Sequence, residues 1–257
     1  MKEIYIKARA KINLVLNVLE KREDNYHNLE SIFQKINLYD EIYIKESKRT
    51  GITIKTNIPQ LNNEDNIIYK AFYELKKYRN IESIDVTINK KIPMKAGLAG
   101  GSTDCAAFIL GMNKLFNLSL NSQELRNIGI KLGADVVPCY YNIPVKATGI
   151  GEIIKKIDSN SKYYVLIIKP NISFSTKEMF KKLDGQEREI KEINLKKVEY
   201  ALKENNIKII AENLYNTFED VTEDVEIIKK IKKELLNKGA LRGSYDRFWV
   251  LCFWIVW

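Results

Sequence analysis

The segment from Ile84 to Leu115 constrains the fold of this 257-residue chain most strongly, because its pattern predicts a strand, a glycine-rich loop and a helix in direct succession. The loop contains Gly97, Gly100 and Gly101 within five residues. Glycines tolerate positive φ angles and let a bulky anion approach the backbone. A helix that begins just after them offers free N–H groups and a dipole that favour phosphate. The alternative is a loop whose glycines only turn the chain.

The spacing of this loop differs from two common nucleotide-binding motifs. It has neither the G-x-x-x-x-G-K-[ST] order of a P-loop nor the G-x-G-x-x-G order of a dinucleotide-binding turn or protein kinase. A nucleotide bound here would therefore be held in another architecture.

The rest of the chain predicts a mixed α+β fold and not a regular βαβ series. Hydrophobic residues alternate with period two over residues 3–56, which is typical of strands. Further strands are predicted at 84–88, 145–154 and 163–168, and helices at 66–77, 102–115, 121–132 and over much of 176–237. The polar stretch 158–162 predicts a boundary between a domain of residues 1–158 and one of residues 159–257.

Charge and cysteine content narrow the class of protein. The 42 basic and 33 acidic side chains give a net charge of +9, but the lysines are spread along the chain. We therefore expect a solvated basic surface, suited to polyanionic small molecules, and no nucleic-acid partner. The three cysteines form no C-x-x-C pair, which argues against a zinc site or disulfide framework. Without a signal-peptide pattern or a long apolar run, we expect a cytoplasmic protein with no membrane partner.

Three short segments accompany the glycine-rich loop. They are Ala10-Lys11-Ile12-Asn13-Leu14, then Asp24-Asn25-Tyr26-His27 with Phe33-Gln34, and Leu132-Gly133-Ala134-Asp135-Val136. The loop resembles the phosphate loop of the GHMP small-molecule kinases. The order and spacing of all four segments, from residue 7 to about 180, are similar to the branch of that family that phosphorylates a cytidine-diphosphate-linked methylerythritol.

This resemblance implies a fold and an activity. The fold would have two α+β domains, the first like domain 2 of ribosomal protein S5 and the second ferredoxin-like and incomplete, with the active site in the cleft between them. The implied activity is ATP-dependent phosphorylation of the 2-hydroxyl of that small-molecule substrate, in non-mevalonate isoprenoid biosynthesis. ATP would bring Mg²⁺ as its complex, and the protein would be a monomer or weak homodimer. The alternatives are a GHMP kinase for another small alcohol, or an impaired copy that keeps the fold.

The resemblance also assigns catalytic and ATP-binding residues. Asp135 would be the base and Lys11 its cationic partner; without the resemblance they would be a turn residue and an exposed strand lysine. Asn66 would contact adenine or, equally, only cap a helix. The phosphate loop would consist of Pro93, Met94, Lys95, Ala96, Gly97, Leu98, Ala99, Gly100, Gly101, Ser102 and Thr103. No residue is assigned as a metal ligand.

The substrate side is assigned in the same way. Tyr26 would stack on cytosine and His27 would bond its polar edge, although a lone histidine is more often a surface or core residue. Phe33 would add an apolar wall, and Asn13 would position the erythritol end. Ser175 and Thr176 resemble the substrate-side turn before a helix, with helix capping as the competing explanation.

Three local departures from the family pattern affect these assignments. Asn25 stands where glycine is usual, but asparagine tolerates a left-handed backbone better than most residues. Pro138 comes one place later than usual, so the backbone that presents Asp135 could differ. Lys95 brings a charge into the loop, either for phosphate or for solvent.

The largest departure is at the C-terminal end. Trp249, Trp254 and Trp257 all fall in the final nine residues, where the family has a second loop of the form G-A-L-M-T-G-S-G. Permitted codons for residues 242–249 spell that loop when read one base later, and the single tryptophan codon supplies its last glycine. We therefore interpret residues 242–257 as a frameshifted tail that alters the second domain after Leu241. The alternative is a genuine buried strand within residues 248–257.

Overall fold

The computed structural model describes residues 2–81, 83–170, 176–220, 226–245 and 252–256. The strands are β1 (Glu3–Lys21), β2 (His27–Glu46), β3 (Ile52–Thr56), β4 (Ile84–Asn89), β5 (Val145–Thr148), β6 (Ile153–Lys156), β7 (Tyr164–Ile168), β8 (Tyr215–Asn216), β9 (Arg242–Tyr245) and β10 (Cys252–Val256). The helices are α1 (Ile67–Lys76), α2 (Gly100–Leu115), α3 (Ser122–Leu132), α4 (Val136–Cys139), α5 (Thr176–Asp184), α6 (Leu195–Lys203), α7 (Ile207–Glu212), α8 (Thr217–Asp220) and α9 (Glu226–Asn237). The predicted α+β class is confirmed.

Unit 1, the first of two compact units, comprises residues 1–11, 36–94 and 99–142. Within it, β4 pairs antiparallel with β2 and parallel with β3, so that β4 is the middle strand of the three. Helices α1 and α2 cover a core in which Phe72 and Phe108 are fully buried. A Cβ at Gly111 would lie 2.0 Å from Cδ1 of Ile6, so a larger residue there would require the Ile6 side chain to move.

Unit 2 comprises residues 12–35, 95–98 and 143–257. Here β1 pairs parallel with β8, while β5 pairs antiparallel with β2 and β6. A separate three-stranded sheet has the order β7-β10-β9, with β10 antiparallel to both neighbours. One buried cluster packs α5 and α8 on β1 and β2; it consists of Leu16, Val18, Leu29, Met179, Leu183 and Phe218.

The compact units are not consecutive stretches of the chain. Both β1 and β2 contribute residues to each unit, because each strand is about 20 residues long. The division therefore follows the long strands and not the polar stretch 158–162. The domain boundary between residues 158 and 159, which the polar stretch predicts, stays a prediction.

Most predicted elements are confirmed, with local differences. The strand expected over 145–154 is two strands, β5 and β6, because the chain turns at Gly149 with φ of 70°. Helix α2 begins at Gly100 and not at Ser102. The four-residue helix α4 and the two-residue strand β8 had no periodicity that could predict them, since neither is long enough to show one.

The apolar tail forms strands in its described part. Backbone positions of β10 pair with β7 on one side and β9 on the other, and Ile255 is fully buried. The described tail residues therefore form a strand, as the alternative interpretation expected, and that strand is the middle one of its sheet. Trp254 lies on β10, whereas Trp249 and Trp257 lie outside the described residues. The shifted reading frame stays a prediction that the gene sequence tests.

Candidate active site

Lys11 and Asp135 come together in unit 1, although 124 positions separate them in the sequence. The Nζ atom of Lys11 lies 4.0 Å from Oδ2 of Asp135. The side chain of Lys11 is 1% exposed and that of Asp135 is 20% exposed. The idea of an exposed strand lysine is therefore wrong for Lys11. A buried ammonium beside a partly solvated carboxylate can hold negative charge in place while the carboxylate exchanges a proton.

The backbone around Asp135 shows how the chain accommodates Pro138, which comes one place later than is usual in the family. Asp135 has a helical backbone, with φ of −78° and ψ of −6°, and forms the N-cap of α4. Its carboxylate makes no capping hydrogen bond, so the side chain is not committed to the helix end. Pro138 lies in the first turn of α4, where its missing N–H has no helical partner to lose. The shifted proline is therefore compatible with the short helix that begins at Val136, directly after Asp135.

The glycine-rich loop takes an unusual backbone, but Gly97 is the only one of its three glycines with a positive φ. Lys95, Gly97 and Ala99 have φ values of 54°, 74° and 55°, so every second residue is left-handed. Gly100 and Gly101 lie inside α2, and the expectation that they supply positive φ is wrong. A Cβ at Gly101 would meet nothing within 4 Å. Open space over the first turn of α2 suits an approaching anion.

The first turn of α2 is fixed to β1 close to Lys11. Ala99 is the N-cap and supplies no side-chain cap to the N–H groups of that turn. The Thr103 hydroxyl donates to the carbonyl of Arg9 over 2.5 Å. The turn predicted to bind phosphate is thus anchored two residues before Lys11 on its strand.

A buried charge cluster, formed by Asp40, Lys90 and Asp104, lies behind the same turn. The Nζ atom of Lys90 donates to Oδ2 of Asp40 and, over 2.6 Å, to Oδ2 of Asp104. Asp40 also accepts from the backbone N–H of Lys91 and Ile92. Burial, reinforced by Asp40 and opposed by Lys90, raises the pKa of Asp104 to about 8.

The hairpin turn between β1 and β2 presents Tyr26 and His27. Asn25 adopts φ of 66°, which confirms that asparagine fills the left-handed position. The guanidinium of Arg22 pairs with Asp24, whose Oδ1 accepts the N–H of Tyr26 over 3.1 Å. Tyr26 is 57% exposed, so its ring is open to a stacking partner.

His27 is held from two sides by α5. Its Nε2 atom lies 2.8 Å from Oδ1 of Asp184, and its ring stacks on Phe180 with centroids 5.0 Å apart. Lys21 donates to the second oxygen of Asp184 over 2.7 Å. Burial opposes ionisation of Asp184, but Lys21 and His27 outweigh it and lower the pKa of this carboxyl. The His27 side chain is 7% exposed.

The remaining predicted residues fall into different settings. Asn13 and Phe33 are buried in β1 and β2. Asn66 is the N-cap of α1: its side chain accepts from the N–H of Ile68 and donates to the carbonyl of Leu61. The capping explanation for Asn66 is confirmed, and the adenine contact stays a prediction. Thr176 begins α5, while Ser175 lies outside the described residues.

The loop residues also differ in exposure. Pro93, Met94 and Lys95 are exposed, whereas Ala96 and Leu98 are buried and anchor the loop. The charge of Lys95 is therefore at the surface of the loop.

Sequence reasoning missed Asp184, Phe180 and the Lys90 cluster. The lone histidine was itself a signal, because a nearly buried imidazole needs a polar partner. Nothing in the local sequence says which of the many acidic side chains is that partner.

Comparisons with known proteins bear on the family of this chain. The model of the GHMP kinases N terminal domain matches residues 66–142, which include the glycine-rich loop and Asp135. A 4-diphosphocytidyl-2-C-methyl-D-erythritol kinase from Alkaliphilus oremlandii is 42% identical over 247 residues, covering 94% of this chain and 84% of that protein. One from Thermoanaerobacter pseudethanolicus is 43% identical, with 94% and 83% covered. The chain belongs to the 4-diphosphocytidyl-2-C-methyl-D-erythritol kinase family.

Solved structures show the same fold. A crystal structure of a 4-(cytidine 5'-diphospho)-2C-methyl-D-erythritol kinase superposes with a TM-score of 0.80 at 21% identity, covering 98% of this chain and 90% of that one. A mevalonate kinase from L. major gives 0.74 at 14% identity, with 99% and 88% covered. The GHMP kinase fold expected from the resemblance is confirmed.

Neither a membrane-spanning helix nor a cluster of metal-ligating side chains is present in the described part of the chain. No helix in that part of the chain is long and apolar enough to cross a membrane. The same residues contain no group of three or more His, Cys, Asp or Glu side chains placed to hold a metal ion.

Proposed function

We propose that this chain transfers the γ-phosphoryl group of ATP to the 2-hydroxyl of 4-diphosphocytidyl-2-C-methyl-D-erythritol. The observation that carries the proposal is the buried Lys11 ammonium 4.0 Å from the Asp135 carboxylate, in a chain of this kinase family. The hydrogen bond from Thr103 to the carbonyl of Arg9 attaches the first turn of α2, which we propose binds phosphate, to the same part of β1.

The two residues have separate roles in the reaction. Asp135 orients the substrate hydroxyl and accepts its proton as the bond to phosphorus forms. Lys11 keeps Asp135 ionised and stabilises negative charge on the transferred group. Phosphoryl transfer needs both side chains, because the Asp135 carboxylate alone would repel the negatively charged phosphates of ATP.

The loop and hairpin supply binding. The N–H groups of the first turn of α2 receive phosphate oxygens, and the open side of Gly101 admits them. Tyr26 stacks on the cytosine ring, and His27 bonds its edge. Mg²⁺ bound to the ATP phosphates would neutralise part of their charge.

A turnover assay tests this proposal. Purified protein is incubated with ATP and, separately, the cytidyl substrate, mevalonate and homoserine, and ADP release is measured. We expect turnover on the cytidyl substrate alone. Asp135→Asn, which keeps the shape of the side chain, should lower kcat by about 10²- to 10⁴-fold, whereas the exposed Asp158→Asn control should not change it.

Other outcomes point to the other candidates. Turnover on another alcohol would indicate a different GHMP kinase. No turnover with any alcohol, from a folded protein, would indicate an impaired copy, consistent with the altered tail. Equal turnover by Asp135→Asn and the unmodified chain would remove Asp135 as the base. The cytoplasmic location and the monomer or weak homodimer stay predictions.

A further inference from the structure

The two nitrogens of the His27 ring have different surroundings, and the residues that contact the ring all lie within unit 2. One nitrogen, Nε2, faces the Asp184 carboxylate at 2.8 Å. Phe180 covers a face of the ring, with the two ring planes 22° apart. Phe180 in turn meets the fully buried Phe218 edge-on, with centroids 5.1 Å apart. The ring is thus fixed by a packed helix and not by the exposed hairpin alone.

An ionised carboxylate can only accept hydrogen bonds, so Asp184 requires a proton on Nε2. Lys21 holds the other carboxylate oxygen and favours ionisation of Asp184. In a neutral imidazole one nitrogen carries the proton and the other accepts. Within the residues that the structure describes, the His27 ring has no second hydrogen-bond partner. Nδ1 is therefore the nitrogen offered to a ligand.

We infer that Asp184 is a positioning residue that fixes His27 in the Nε2–H tautomer, so that Nδ1 accepts a hydrogen bond from the exocyclic amino group of cytosine. The cytosine part of this inference rests on the proposed function. Asp184 itself need not touch the substrate, because its effect passes through the imidazole.

The tautomer sets which pyrimidine is accepted. Cytosine carries a donor, the 4-amino group, where uracil carries a carbonyl oxygen. An unprotonated Nδ1 accepts a hydrogen bond from the 4-amino group of cytosine. It cannot bond the carbonyl oxygen of uracil, because both atoms are then acceptors and neither carries a proton. A site built to bond a specific polar group discriminates strongly against an analogue that leaves the site unpaired.

Because His27 is the only histidine, its ring can be observed without assignment ambiguity. Two-dimensional ¹H–¹⁵N NMR of the full chain distinguishes protonated from unprotonated ring nitrogens. At pH 8 we expect Nε2 protonated and Nδ1 unprotonated. Asp184→Asn should give a mixture of tautomers, since an amide can offer either a donor or an acceptor to Nε2.

Lys21→Met is the matched control for this experiment. It removes the other bond to Asp184 but keeps the carboxylate beside Nε2, so the tautomer should stay as in the unmodified protein. An Nδ1–H tautomer in the unmodified protein, or an unchanged single tautomer in Asp184→Asn, would overturn the inference.

Binding of cytidine 5'-diphosphate and uridine 5'-diphosphate provides the second readout. The ratio of their Kd values should favour cytidine and fall by about tenfold in Asp184→Asn, with ATP binding unchanged. If Asp184 had only a structural role, Asp184→Asn would weaken the binding of both nucleotides equally and leave the ratio of their Kd values unchanged. That result would count against the inference. Failure of phosphoryl transfer with the cytidine preference intact would instead contradict the proposed function.

Discussion

Two charge clusters in this chain are built in opposite ways. In unit 1 a single lysine, Lys90, lies between two carboxylates, Asp40 and Asp104, and all three side chains are at most 7% exposed. In unit 2 a single carboxylate, Asp184, lies between Lys21 and His27 and is 30% exposed. Each cluster adjoins a segment assigned to ligand binding.

Their surroundings shift the two acids in opposite directions. Burial raises the pKa of Asp104 to about 8, whereas Lys21 and His27 lower the pKa of Asp184 despite its partial burial. The buried cluster has two acids for one base, and all three side chains are nearly inaccessible to solvent, so we expect it to support the fold. The solvated cluster has excess base and leaves one imidazole nitrogen for a ligand. We therefore expect variants of the cluster around Lys90 to change stability and variants of the cluster around Asp184 to change recognition.

The largest effect should follow from Lys90→Met. This change leaves Asp40 and Asp104 buried without their shared cation, which typically costs about 3–5 kcal/mol of unfolding free energy. Urea unfolding at pH 7 measures it. Lys91→Met, at the next position in the sequence, removes only an exposed ion pair with Glu41. It should lower the unfolding free energy far less than Lys90→Met does. Similar losses in the two variants would mean that the buried cluster is not a support.

A smaller effect is expected from the pH dependence of Asp104. Its carboxyl has a raised pKa in the folded chain, about 8, against about 3.9 when unfolded. Between these values the native state binds an extra proton, so its stabilising contribution is complete below about pH 4 and is lost as the pH rises toward 8.

Asp104→Asn removes this titration. From pH 5 to 7 the unmodified protein should lose up to about 1.4 kcal/mol of unfolding free energy per pH unit relative to Asp104→Asn. Urea melts of both proteins at pH 5, 6 and 7 give the two slopes. Parallel slopes would place the folded-state pKa of Asp104 near its ordinary value.

The smallest stability effect is expected from Asp184→Asn, because partly solvated ion pairs contribute about 0–1 kcal/mol. The urea midpoint at pH 7 should therefore move little, while the cytidine preference falls. A loss as large as that of Lys90→Met would erase the distinction between the two clusters.

The sequence could predict the parts of the site that short motifs specify. Lys11, Asp135 and the glycine-rich loop each stand in a local pattern, and the left-handed Asn25 follows from residue chemistry alone. The exposure of Lys11 could not be predicted by the alternation of a strand, because β1 is buried on both faces in its central part.

The parts that could not be predicted depend on distant residues. His27 and Asp184 are 157 positions apart, and Lys90 and Asp40 are 50 apart. Neither pair has a fixed spacing that a motif could show. The predicted start of α2 was two residues too late, because Gly100 and Gly101, which lie in its first turn, are poor helix formers.

The order of strands in the three-stranded sheet has a consequence for synthesis on the ribosome. Strands β7 and β9 each bond to β10 and not to one another, so β7 has no partner in that sheet until residues 252–256 have been made. At 5–20 residues per second, translating the intervening residues takes roughly 4–17 seconds. During that interval the hydrogen-bonding edge of an apolar strand is available to other nascent chains, and a chaperone that shields it would raise the yield of folded protein.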